Sequence, residues 1–223
     1  VWRVDKGGSI VGTISANKLG GLSLIVGPIV ALVGFFLQPG GMLIDAADPA
    51  NAQASMVAIT SNASLSQITG FVIPLGLIIF LYGLYVIQGN VRASGNGDAL
   101  ARYGVLLALI GIVGWVISSA LSNVIASSDL RVAAEAAAAG ALYAGAQGIS
   151  ITSGAIAGLG FVCLALALST RDDYNKMFAL LIAVVSVVSV VAALVGGIDS
   201  TQLQAMQGVS GVCYIITSIW SIT

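Results

Sequence analysis

Six apolar stretches dominate this chain, over residues 19–37, 68–87, 103–125, 149–168, 177–195 and 203–222, and none has an Asp, Glu, Lys or Arg in its interior. Each is close to the roughly 20 residues that a helix needs to cross a hydrocarbon core about 30 Å thick. Composition rules out water as the main solvent. Only 8% of the 223 residues are charged and 58% are hydrophobic, whereas a soluble domain carries about 25% charged residues to cover its surface. In lipid every backbone amide and carbonyl must be paired within the fold, which leaves helices or closed barrels. A barrel needs alternating strands of about 10 residues, and these runs are unbroken. The expected fold is all-α: a polytopic transmembrane bundle of six spans, forming one integral membrane domain over residues 1–223.

The basic residues alternate with the spans. Arg3, Lys6 and Lys18 precede the first, Arg92 and Arg102 bracket the second connection, and Arg171 and Lys176 lie in the fourth, against Arg131 alone on the other side. Cytoplasmic loops are the ones enriched in Lys and Arg, so both termini are expected in the cytoplasm. The net charge of −1 gives no sign of a nucleic-acid partner or of adhesion to acidic lipid. The chain begins with Val1 rather than Met, as a processed or trimmed chain would.

The first and third connections are long enough to hold structure. Asp48-Pro49 looks like a helix start, since proline suits the first helical position, and residues 50–59 read as a short helix at the membrane surface. Ser64 and Gln67 have capping-box spacing ahead of the second span. Asp129 precedes the alanine-rich run 132–140, a strong helix former expected to pack on the outer face or to run straight into the fourth span. The turns Ser94-Gly95-Asn96-Gly97 and Asp172-Asp173-Tyr174-Asn175 close the internal connections. Asn62-Ala63-Ser64 matches a glycosylation acceptor.

Absences limit the chemistry. Histidine is missing, which removes the commonest transition-metal ligand and the favoured general base. Ionisable groups inside the bilayer normally mark proton relays or ion paths, and the spans hold none. Cys163 and Cys213 read as small apolar fillers rather than a metal pair. The expectation is no enzyme activity, no metal and no cofactor.

The spans do hold small residues in register. Gly104, Gly111, Gly114, Ser118 and Ser122 form a stripe in the third span. Gly154 and Gly158 stand four apart in the fourth, and Ser186, Ser189, Ala193 and Gly197 line up in the fifth. Helices in lipid associate through such close approach and through interhelical hydrogen bonds, so a packed bundle is expected, with a subunit interface as the alternative. In the last and least apolar span, Gln207, Ser210, Tyr214, Thr217 or Ser218, and Ser221 recur at three- and four-residue spacing. Exposed to hydrocarbon, such groups lose their hydrogen bonds at a cost of about several kcal/mol. Helix-to-helix bonding, a polar pocket or a subunit contact would each answer that cost. Pro28 and Pro74 each remove a backbone donor and are candidate hinges.

Residues 17–22 (NKLGGL), 74–83 (PLGLIIFLYG) and 101–104 (ARYG) resemble segments of uncharacterised bacterial membrane proteins of about six helices, a family known as a domain of unknown function. The resemblance covers the first two-thirds of the chain and implies architecture only, with no catalytic residue to carry over. The expected function is that of a non-enzymatic accessory, scaffold or assembly subunit acting through helix packing. Its partners would be the lipid bilayer and other membrane subunits or further copies of itself. The alternative is a facilitator or binder of a small neutral or lipidic molecule, using the polar face of the last helix.

Overall fold

A long apolar run in lipid pairs its own backbone as a helix until a polar or helix-breaking segment interrupts it. In the computed structural model, which describes residues 14–94 and 97–222, the chain is helical nearly throughout. Trp2, Arg3, Lys6 and Gly95–Asn96 lie outside the described residues. The helices are α1 (Ala16–Leu37), α2 (Ala52–Ser61), α3 (Ala63–Ser94), α4 (Asp98–Ala126), α5 (Ala133–Ser169), α6 (Lys176–Ile198) and α7 (Leu203–Ile222), with a 3₁₀ turn at Ser200–Gln202. Five of these, α1, α3, α4, α5 and α6, are long and apolar enough to cross a membrane. The protein is a multi-pass integral membrane protein. The last helix is the least apolar of the expected spans and is not among those five.

Local chemistry sets the helix ends, and three of them depart from expectation. The helix starts at Ala52 rather than at Pro49, and Asn51 caps α2: its side chain accepts from Ala54 N at 3.0 Å. Asp48 instead turns the chain by accepting from Ala50 N at 2.9 Å. Ser64 caps nothing and lies inside the first turn of α3, because that helix begins as soon as α2 ends. Gln67 reaches across to donate to Ser127 Oγ at 3.0 Å. In the third connection the alanine-rich run joins the fourth span without a break, giving one helix of 37 residues. Its N-cap is Val132, and Asp129 stands just outside the helix. There the carboxylate accepts from Arg131 N at 3.0 Å and pairs with the Arg131 guanidinium at 2.9 Å. That pairing holds the Asp129 carboxyl down at about 2. Glu135 closes the corner by accepting from Asp129 N at 2.7 Å.

Each long helix packs antiparallel on its neighbour in sequence, α1 on α3, then α4, α5, α6 and α7. Glycines trace the contacts. Gly20 faces Val86, Gly27 faces Gly76 and Phe80, and Gly34 faces Ile73, so α1 and α3 run in opposite directions. Gly104 lies against Gly160 and Leu164, and Gly111 against Ser153 and Ala157, which fixes α4 against α5 in the same way. A short seam closes the series, where Ser221 Oγ at the end of α7 donates to Leu24 O of α1 at 3.1 Å. The core between these helices holds stacked Phe80 and Phe161, 5.9 Å between centroids, with Leu84, Leu164 and Leu168. A second cluster at the other end joins α2 to α4 and α5 through Met56, Ile59, Ile125, Ala126 and Tyr143. The antiparallel order puts Lys18, Arg92, Arg102, Arg171 and Lys176 at one end of the bundle and Arg131 at the opposite end.

Candidate functional site

Where α4, α5, α6 and α7 converge, Trp115, Ser189 and Tyr214 meet. Trp115 of α4 is pinned by its indole N–H, which donates to Ser150 O of α5 at 3.2 Å. Its ring meets Tyr214 of α7 edge-on, 5.4 Å between centroids at 89°. Gly154 makes room for the tyrosine: a methyl group added there would stand 3.2 Å from the Tyr214 hydroxyl. Ser189 of α6 is 2% exposed. Its hydroxyl neighbours that of Tyr214 but completes no hydrogen bond among the described residues. Gly211, one turn before Tyr214, is also buried, yet a methyl group added to it would meet no atom within 4 Å. The node therefore combines two hydroxyls and an indole ring, with open space at Gly211 one turn earlier on α7.

The remaining sequence-marked residues divide around this node. Gly111 and Gly114 lie in the α4–α5 contact, Gly114 against Ser153. Ser118 donates to Ala146 O at 2.9 Å. Gly158 faces Val190 and the backbone of Ser186. In α6 the buried small residues are Ser186, Ser189, Ala192 and Gly196, while Ala193 is half-buried and Gly197 exposed. The stripe turns by one residue because a straight helix advances 3.6 residues per turn, not 4.

On α7 the stripe splits. Gln207 is exposed, Ser210, Tyr214, Ser218 and Ser221 are half-buried, and Thr217 is buried. Thr217 satisfies itself by donating to Cys213 O at 2.9 Å. Gln207 is exposed on the single chain, while the rest of the stripe turns at least partly inward. It stands about 6 Å along the axis from the first residue of α7, close enough to the helix end for its long amide to reach interfacial water.

Pro28 and Pro74 are both buried, and the helix runs on through each. They sit where Gly27 and Gly76 bring the two backbones together. That crossing was missed from sequence, although Gly20, Gly27 and Gly34 repeat at seven residues, two turns apart on one face.

No group of three or more His, Cys, Asp or Glu residues stands together among the described residues, and no acid or base is in place to activate the hydroxyls. The chemistry of the node is that of hydrogen bonding to a neutral group. Two open grooves mark the lipid-facing surface. One, of about 480 Å³ between α6 and α7, is lined by Val184, Val188, Val209 and Val212. The other, of about 290 Å³, runs between α3 and α4. No protein-family model, curated protein or solved structure matches the chain.

Proposed function

We propose that the protein is a non-enzymatic membrane component that works by helix packing, as an accessory, scaffold or assembly subunit. The observation that supports this is the overhang of α5. Its 37 residues extend about 55 Å at 1.5 Å per residue, against a hydrocarbon core about 30 Å thick. The surplus half, braced by α2, exposes Ala137, Ala141, Ala144, Gly145 and Gly148, a face shaped for close approach by another helix. In this reading α7 crosses the membrane as a sixth span: Leu203 at its start packs beside Gly196, and Ser221 at its end reaches Leu24. The basic end of the bundle, with both termini, faces the cytoplasm. Likeness to the uncharacterised bacterial six-helix proteins fits that architecture.

Purification from native membranes in mild detergent tests the proposal. A second copy or another subunit should copurify and cross-link through cysteine placed at Ala141, and Ala141→Trp should release it. A monomeric particle carrying no associated protein would overturn the reading.

The unfilled space at Gly211 beside Tyr214 and Ser189 favours a second reading, a facilitator or binder of a small neutral molecule. Proteoliposomes should then pass glycerol faster than protein-free vesicles, and Gly211→Leu should abolish the difference. Equal rates with and without the protein would remove this second reading.

A further inference from the structure

The groove between α3 and α4 is lined by Ile78, Leu81, Tyr82 and Tyr85 on one side and by Val105 and Leu109 on the other. It does not stop at its apolar part. On α3, positions 78, 82, 85, 89 and 92 follow one another at three- and four-residue steps, which places them on a single helix face. The lining face therefore continues through Gly89 to Arg92. A side chain at Gly89 would meet no atom within 4 Å, so the groove stays open there. On α4, Arg102, Val105 and Leu109 share a face by the same spacing. Both arginines are exposed, at the end of the bundle where α3 finishes and α4 begins. Arg102 spends part of its guanidinium on Asp98, with Nε donating at 2.9 Å, and its side chain is still 53% exposed.

We propose that this groove is a binding site for an anionic phospholipid of the surrounding bilayer. One acyl chain lies along Ile78, Tyr82, Tyr85, Val105 and Leu109, and the phosphate sits over Gly89 between Arg92 and Arg102. Charge complementarity selects this occupant. A groove that is apolar at membrane depth and ends between two cations at the headgroup level matches an acidic lipid along its length. A transmembrane helix from a partner would bring no counter-charge to the exposed Arg92, and would add nothing to Arg102 beyond its pair with Asp98 at 2.6 Å. The overall net charge of −1 hides this, because it averages a basic end with an acidic one. The inference is independent of the proposed subunit role and of the node at Tyr214.

Native mass spectrometry of the full chain, released from nanodiscs of equal phosphatidylglycerol and phosphatidylcholine, provides the test. Wild-type protein should retain one phosphatidylglycerol in preference to phosphatidylcholine. Arg92→Gln and Arg102→Gln should each weaken that preference roughly fivefold, and the double variant should lose it. Gly89→Leu, which fills open space without displacing an atom, should reduce retention of both lipids at this site. Lys176→Gln, at the same end of the bundle but outside the groove, should keep the wild-type ratio. Equal retention of the two lipids by wild-type protein would overturn the proposal. So would a preference that survives in the double variant, or one that falls as much in Lys176→Gln as in Arg92→Gln.

Discussion

At Gly27 the backbone of α1 lies directly on that of α3: a methyl group there would stand 2.5 Å from Phe80 N and 2.8 Å from Gly76 O. Backbone cannot swing aside as the end of a side chain can, so the helices must separate to admit anything larger. Gly27→Leu is expected to cost about 1–3 kcal/mol, the usual range for overpacking, read as earlier unfolding in a detergent titration. Gly21, on the same helix with nothing within 4 Å, supplies the contrast, and Gly21→Ala should leave stability unchanged or slightly raised. Outside the membrane, Asp129 gives a pH dependence of determined sign. Hydrogen bonds from Arg131 hold its carboxyl at about 2 against an ordinary 3.8. The contribution is therefore complete above pH 3.8 and disappears as pH falls through 2. Amide exchange at Arg131 should accelerate over that window, and Asp129→Asn should remove the acid dependence.

Among the elements, α5 joins two environments, and its upper half is fastened by few bonds. Tyr143 donates its hydroxyl to Pro49 O at 3.0 Å and receives Gln147 Nε2 at 2.8 Å, tying the segment before α2 to the long helix. Tyr143→Phe should loosen that segment by about 1 kcal/mol, seen as faster hydrogen exchange over residues 48–62 with α3 and α4 unchanged. The α5 helix also shows what could be read beforehand. The apolar runs located the five long spans because helix length in lipid is set by hydrocarbon thickness. Gly104, Gly111, Gly114 and Ser118 marked a packing face on α4, but not that α5 is the helix it meets. Helix ends were less legible: Asp48 and Asn51 are equally good caps in isolation, and whether Ser64 caps the second span depends on where α2 stops. The node at Tyr214 was half visible. The α7 stripe pointed to it, but Trp115 and Ser189 belong to helices whose meeting depends on the bundle's order. Hydrophobic periodicity also does not register depth along the helix, so the exposure of Gln207 near the start of α7 was not legible.

For the whole molecule, the distribution of charge between the two ends gives a prediction of sidedness. A cysteine at Asp172 should be reached by an impermeant thiol reagent only from the cytoplasmic side, and one at Ala137 only from the other, in intact and inverted vesicles. Labelling of both from one side would contradict the antiparallel order, and a swap of sides would reverse the orientation. That order also bears on how the protein is made. Because each long helix rests on the one just before it, a span emerging from the insertion machinery finds its partner already waiting. Among the described residues, a short seam of α7 against α1, with the Ser221 to Leu24 bond in it, joins the beginning of this succession to its end. The nascent bundle thus stays open along one side until synthesis of the last helix, and its interior is sealed laterally only then.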